Sequence, residues 1–395
     1  MKLSARAAAL KPSLTLAIAA KARRLSAEGH DICSLSAGEP DFDTPAFIRD
    51  AAAAALAAGA TRYGPAAGEP RLREAIAAKL SSENGMAVTA DQVLVTNGGK
   101  QAIYNLFQVL LDPGDEVLLP APYWLSYPEM AALAGARVTL LPCSAADGFR
   151  LDLGALEALI TPRTRLLVLN TPSNPTGVVL QKDELEAIAA LLRRHPHVAV
   201  MCDEIYEHLL APGQRHHSLA ALAPDLADRL FMVNGFAKGW AMTGWRLGYL
   251  AGPQAVVKAA IALQSQSTSN VCTFAQYGAL AALEGPRDAV WSMAERFSAR
   301  RRCLSEGLQG LPGVVLVPPT GAFYAFPDVG AWGLDSVTFC RRLLEEQGLA
   351  LVPGAAFGDD RCVRLSCAVS TATIEDGLNR FRRFLASLEA PVVAC

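Results

Sequence analysis

The 395-residue chain carries almost no net charge, −2 by formal count, and its longest basic run is the triplet Arg300, Arg301 and Arg302. Without a concentrated basic surface, nucleic acid and anionic membranes are excluded as partners. Its nine cysteines, Cys33 to Cys395, never form a C-x-x-C pair. That argues against a disulfide framework and a zinc site alike, and suits reduced thiols in the cytoplasm. Only six histidines occur, with no ligand spacing; His216 and His217 sit in a polar loop, His195 flanks Pro196, and all read as solvated, so no metal is expected. No apolar run is long enough to cross a bilayer: "IRDAAAAALAAG", 48 to 59, is short and stops at Gly59, as a soluble alanine-rich helix would. Near the start, Lys11, Pro12 and Lys21 break the apolar stretch that a signal peptide needs. An organellar transit peptide is disfavoured as well, because recognisable fold sequence begins at about Pro12. Internal repeats and low-complexity tails are also missing.

What is present is a composition of 51% hydrophobic and 19% charged residues, enough for a large core at a length where one core becomes two domains. Short apolar runs, "QVLVT" (92–96), "DEVLLP" (115–120), "TRLLVLN" (164–170), "HVAVMCDE" (197–204) and "RLFMVN" (229–234), alternate with helical patterns. Such alternation predicts an α/β fold with a parallel sheet covered on both faces. Helices are expected over about 253–311, broken near Asn270 and Pro286, and the last near 373–388. The stretch from "GVVLVPP" at 313 onward, through "GAFYAFPDV", "GLALVPG" and "CVRLSCAVS", reads as a smaller α+β unit. The expected division is a large domain at 48–285 and a small one made of 1–47 and 286–395.

In open α/β sheets ligands bind where strands end, so the residues just past each run are the ones to question. After "QVLVT", the glycines of "NGGKQA" open a helix whose first N–H groups suit a phosphate; a tight strand-to-helix turn accounts for Gly98 and Gly99 equally well. After "TRLLVLN", the rigid "TPSNPTG" loop directs Asn174, unless it is a plain turn. Asp203 in "CDEIYEH" ends a strand that reads as fully buried, where a carboxylate needs a partner; an exposed Asp-Glu pair is the bland alternative. Finally, "NGFAKGWAMTGWRLGY" places Lys238 and Arg246 among small, aromatic and aliphatic residues. Burial disfavours an ammonium and frees a lysine amine for carbonyl chemistry, whereas an arginine keeps its charge and calls for an anion. Either cation alone could snorkel outward. Taken together, the four endings describe a pocket for pyridoxal 5′-phosphate. Lys238 suits its aldehyde, Asp203 its ring nitrogen, Asn174 with Tyr206 its phenolic oxygen, and Gly99 with Arg246 its phosphate.

"AGEPDFDTP", "TRYGPAAGEPRLREA", "TNGGKQA", "PAPYWLSYPEM", "NTPSNPTG", "DEIYEHL", "NGFAKGWAMTGWRLGYLAGP" and "VRLSCAVS" follow one another along nearly the whole chain. In this order they resemble the class I aminotransferases of fold type I, most closely the bacterial aspartate aminotransferase branch. The resemblance implies a large three-layer domain with a mostly parallel sheet, a smaller α+β domain, and pyridoxal phosphate as cofactor. It implies that Lys238 binds the cofactor covalently and shuttles the substrate proton, that Asp203 keeps the ring nitrogen protonated, and that Asn174 and Tyr206 bind the phenolic oxygen. Trp124 would stack on the ring. Gly99, Lys100 and Gln101, through their backbone, would hold the phosphate with Arg246 and with Tyr63 from a partner subunit. Arg364 would pair with the substrate α-carboxylate, helped by Gly38, Trp124 and Asn174. Where many relatives have serines one and three residues before the lysine, this chain has Ala237 and Gly235; fewer hydroxyl donors would reach the phosphate.

In this branch the lysine of "GGKQ" is implied to meet a distal carboxylate, so Lys100 suggests aspartate and glutamate as substrates. Ser13 and Thr15 would complete that end. Lysine at a helix start is unfavourable without an anion, although Lys100 could also be a solvated first-turn residue. The expected activity is ping-pong exchange between L-aspartate and 2-oxoglutarate in a cytoplasmic homodimer. Prephenate/glutamate or broader aminotransfer is the alternative, and a PLP-dependent β-lyase or a binding protein with a dead pocket are the readings from other classes.

Overall fold

The computed structural model describes residues 2–4, 7–8, 14–389 and 391. A short strand near the start, β1 (Cys33–Ser34), precedes a seven-stranded sheet. Its members are β2 (Val93–Thr96), β3 (Glu116–Ala121), β4 (Arg137–Pro142), β5 (Thr164–Asn170), β6 (Ala199–Asp203), β7 (Leu230–Gly235) and β8 (Gly248–Ala251). In space they run β2-β8-β7-β6-β5-β3-β4. Helices cover both faces, and the strands from β2 to β6 in that order are buried along almost their entire length. This is why their sequences are continuously apolar instead of alternating.

The sheet is mostly parallel, as expected, with one antiparallel member. β8 runs antiparallel to both β2 and β7, pairing Thr96 with Gly248 and Gly235 with Gly248. The segment between β7 and β8 contains only the single turn Thr243–Trp245, too little helix to cross the sheet, so the chain folds back beside the strand it left. The consequence bears on function. The carboxyl ends of the other six strands and the amino end of β8 meet at the same edge. β4, at the border of the sheet, is largely exposed and lacks the continuous apolar signal that marked its neighbours.

The remaining strands belong to small sheets: β9 (Tyr324–Ala325), β10 (Leu349–Ala350), β11 (Val352–Pro353) and β12 (Val363–Ser366). β12 lies between β11 and β9, antiparallel to both, while β1 pairs with β10 in parallel. Helices Asp288–Leu308, Ser336–Gln347 and Thr371–Ser387 enclose a second core around Phe297, Phe323, Phe339, Phe381 and Phe384. Their starts and stops obey local chemistry: Asp335 and Ser370 cap two N-termini, and Gly348 at φ 64° ends one helix. "GVVLVPP" forms no strand. Val315 makes one bridge to Asp328, and the prolines flanking the run supply no N–H for a ladder.

Candidate active site

The sheet edge opens into a cavity of about 740 Å³, of the size that holds a small-molecule cofactor with its substrate. Lys238, Asp203, Tyr206, Asn174, Arg246 and Arg364 all line it, together with Gly38, Gly99, Lys100 and Trp124. Residues as distant in sequence as 38 and 364 therefore share one surface.

Lys238 lies three residues past β7, and its ammonium donates to the carbonyl of Gly38. Burial pulls its pKa down to about 8, with Arg364 and Arg246 adding to the fall and Glu39 and Asp203 opposing it. About a tenth of the amine is thus free at pH 7, far more than for an ordinary lysine. At the end of β6, burial lifts the Asp203 carboxyl to about 6. It is not unpaired: Tyr127 Oη donates to Oδ2 at 2.6 Å, and the Ile205 N–H donates to Oδ1 at 3.3 Å. Tyr206 sits a turn later, its hydroxyl 3.1 Å from that of Tyr324.

Arg246, immediately before the Leu247-Gly248 entry to β8, adopts the left-handed conformation at φ 56°. Its guanidinium donates to two carbonyls, Thr243 O at 2.9 Å and Asn97 O at 3.3 Å. Gly98, at φ 78°, faces this group, and a Cβ there would lie 2.6 Å from Arg246 Nη2. The next residue, Gly99, begins the helix Gly99–Leu110, whose first-turn N–H groups point toward the cavity end. Gln101 stands apart from this group. Its N–H already donates to Gly98 O at 3.1 Å, and its side chain binds Asn97 and Thr268.

On the opposite wall, Arg364 projects from β12 and is 2% exposed. It donates to Asn174 Oδ1 at 3.0 Å and to Ser36 O at 3.2 Å, above the rings of Tyr324 and Phe357. Its Nε has no partner. Among the described residues, no carboxylate lies within 4.0 Å of Lys100, Lys238, Arg246 or Arg364. Arg23 lines the cavity as well, and five cations with no ion-pair partner among the described residues make a site built for anionic groups. A phosphate between Gly99 and Arg246, an aldehyde at Lys238, a ring nitrogen at Asp203 and a carboxylate at Arg364 fit the donors that the chain offers.

Lys100 stands over the Trp124 ring at 5.1 Å, and burial and Arg246 both depress its pKa. Tyr63 is 91% exposed and does not reach this chain's own cavity. Ser13 lies outside the described residues. The backbone of Thr15 belongs to the helix Leu14–Ala27, but its side chain lies outside them.

Two tyrosines and one histidine have surroundings that their neighbours in sequence do not reveal. Tyr127 and Tyr324 carry no motif signal of their own, although Tyr127 follows Trp124 by three residues and packs edge-on to it at 5.2 Å. His216 was expected in solvent. Instead it is mostly covered, with Nε2 2.8 Å from Glu204 Oε2, because Glu204 is only 1% exposed and needs partners brought to it.

Residues 30–381 match the family described as aminotransferase class I and II. The chain is 48% identical over 386 residues to an aspartate/prephenate aminotransferase of Thermus thermophilus, covering 97% of this chain and 98% of the other. It is 44% identical over 392 residues to an aspartate aminotransferase of Geobacillus stearothermophilus, covering 98% and 99%. Among solved structures, aspartate aminotransferase from Thermus thermophilus with maleate superposes at a TM-score of 0.93 with 47% identity, covering 97% of this chain and all of that one. The aspartate aminotransferase from Rhizobium meliloti does so at 0.95 with 39% identity, covering 98% and 100%. The strand endings and the cavity they surround are therefore those of an enzyme, and the chain belongs to the class I and II aminotransferases.

Proposed function

We propose that the chain is a pyridoxal-phosphate-dependent aspartate aminotransferase exchanging an amino group between L-aspartate and 2-oxoglutarate, giving oxaloacetate and L-glutamate in two half-reactions. The convergence of Lys238, Asp203, Arg246 and Arg364 on one cavity carries this reading. Relatives named as aspartate aminotransferases support the choice of substrate.

When bound, pyridoxal phosphate supplies an aldehyde that captures amines and a protonated ring that withdraws electrons. The chain's residues do the rest. Lys238 would provide the covalent attachment, and its Nζ would take and return the proton at the substrate Cα. Asp203 holds the proton of the ring nitrogen. Asn174 and Tyr206 bind the phenolic oxygen, and Trp124 lies against the ring. The phosphate is held by the N–H groups of Gly99 and Lys100 and by Arg246, with Gln101 a weaker candidate and Tyr63 of a second copy closing the site. Arg364 grips the α-carboxylate, helped by Gly38, and Lys100, with Ser13 and Thr15, meets the distal one.

On this reading residues 48–285 form the cofactor-binding domain, and 1–47 with 286–395 form the small domain that brings Arg364. The enzyme works as a homodimer with shared active sites, since Tyr63 is free to serve a neighbour. Its place is the cytoplasm, a reading supported by the eight free cysteines of the described residues. A fully active monomer in sedimentation would refute the dimer.

The test is a half-reaction survey of the holoenzyme, with one amino acid added at a time and loss of visible absorbance recorded. L-Aspartate and L-glutamate should react fastest, and Lys100→Ala should slow both about 10- to 100-fold while sparing L-alanine. Failure of both dicarboxylates would overturn the proposal. A second reading, transfer to prephenate, is favoured by relatives named aspartate/prephenate aminotransferases. Return of the visible absorbance when prephenate is added to the amino-charged enzyme distinguishes the two.

A further inference from the structure

A set of buried charges lies behind the cavity wall and outside the cavity lining. Glu207, 7% exposed, follows Tyr206 directly. Its Oε1 accepts from Lys79 Nζ and from Asn234 Nδ2, the latter at 2.7 Å, and its Oε2 accepts from Asn84 Nδ2 at 2.7 Å. Glu204, directly after Asp203, accepts from Asn84 Nδ2, His216 Nε2 and Ser218 Oγ, each at 2.8 Å. Lys79 donates onward to Asn84 Oδ1 at 2.8 Å. Lys79 Nζ also lies 3.6 Å from Glu83 Oε2, and Glu204 raises the pKa of His216 against the effect of burial.

Buried ion sets of this kind seldom add stability over a packed apolar core, so their value lies in fixing geometry. The geometry here is specific. Glu207 ends the turn that presents Asp203 and Tyr206, whereas Asn234 belongs to β7, four residues before Lys238. Asn234 Oδ1 also accepts from the Gly235 N–H at 2.7 Å, so the bond from Glu207 reaches the strand end that leads to the lysine. All three of Glu207's partners are donors. Only a group with two acceptor oxygens satisfies them, and an amide would turn an NH2 toward one of them.

We propose, resting on the function read above, that Glu207 is a positioning residue for the transfer reaction: its buried carboxylate locks the turn bearing Asp203 and Tyr206 to the strand that delivers Lys238. Catalytic groups must be held to within about half an ångström, and a bond between their two supports sets their separation.

The test uses the full-length holoenzyme loaded with pyridoxal phosphate, in wild-type, Glu207→Gln and Asn234→Ala forms. Leu185→Ala, a core cavity away from the site, serves as the stability control. Two readouts are taken besides turnover: the pH midpoint of the visible absorbance, and the dissociation constant of the cofactor. Glu207→Gln should move the midpoint by about half a pH unit or more, weaken cofactor binding, and lower kcat about 10- to 100-fold. Asn234→Ala should move all three the same way by less, and it decides the matter if Glu207→Gln does not fold. Leu185→Ala should lower Tm alone. If the Glu207 and Asn234 variants lose Tm but keep the wild-type midpoint and cofactor affinity, or if the control moves them equally, Glu207 is merely structural. A wild-type chain that takes up no cofactor would defeat the functional reading as well, whereas a normal wild type with unmoved variants defeats only this proposal.

Discussion

Tyr127 Oη donates to Asp203 Oδ2 at 2.6 Å while its ring packs edge-on against Trp124, their centroids 5.2 Å apart. One side chain therefore holds the buried acid and steadies the indole proposed to cover the cofactor. Burial raises the Asp203 pKa, and this hydrogen bond opposes the rise. Tyr127→Phe removes the donor and leaves the ring. Asp203 should then hold its proton to still higher pH, and the ionised form needed opposite a pyridinium becomes scarcer. A hydrogen bond to a charged group contributes about 1.5–3 kcal/mol, so kcat should fall roughly 10- to 100-fold. Steady-state rates from pH 6 to 9 check this, with the acidic limb moving to higher pH.

The same acid sets a pH dependence for the cofactor-free protein. Its folded pKa of about 6 lies above the ordinary 3.8, so the folded chain binds this proton more tightly than the unfolded chain. The contribution of Asp203 to stability must fall as pH rises between those values. Thermal melts of wild type and Asp203→Asn at several pH values should diverge across that window, the variant losing less stability as pH rises.

For Lys238 the sign is opposite. Its folded pKa of about 8 lies below the ordinary 10.5, so the unfolded chain binds more protons in that interval and the lysine costs stability at neutral pH. Lys238→Met should raise the Tm of the cofactor-free protein by about 2–4 °C and abolish transamination. Lys238→Ala should also abolish turnover while leaving cofactor weakly held. Calorimetry of the apo-protein and a coupled activity assay test both halves.

Arg364 has an unpartnered Nε, while Nη1 and Nη2 are engaged by Asn174 and Ser36. A carboxylate meeting this fork would be held by two parallel bonds. Arg364→Lys keeps a charge and loses the fork, so kcat/KM for every amino acid should fall about 100-fold, with cofactor affinity nearly unchanged. An equal loss of cofactor binding would point to a collapsed wall instead.

Gly98 is confined by its positive φ and by Arg246 Nη2, 2.6 Å from where a Cβ would stand. Gly98→Ala should push the guanidinium out of place and strain the backbone by about 1 kcal/mol or more. Cofactor affinity should drop about 10-fold with little change in KM for aspartate, as equilibrium dialysis and initial rates would reveal.

Much of this site was readable along the chain because its groups follow strand ends, and a strand end leaves a local trace. "TRLLVLN" stops one residue before its loop and delivers Asn174; "VAVMCD" stops at Asp203 itself. β8 and β4 were less readable. β8 is four residues long and looks like a continuation of the lysine loop, and β4 is an exposed edge strand with a broken pattern. His216 was misjudged for a related reason: its neighbours in sequence are polar, and the carboxylate that buries it is twelve positions away on another element.

Residue types and their spacing were enough to suggest the proposed chemistry: a lysine and an arginine in an apolar stretch, an acid closing a buried strand and glycines opening a helix suit an anionic, carbonyl-bearing partner. Which groups stand face to face was settled by folding alone. Asn174 meets Arg364 across 190 positions, Lys79 meets Glu207 across 128, and the reversal of β8 carries Arg246 to the edge where Gly99 waits. Such pairings follow from how layers pack and how a sheet is ordered, and no local pattern encodes a contact between segments that approach each other only after both have folded.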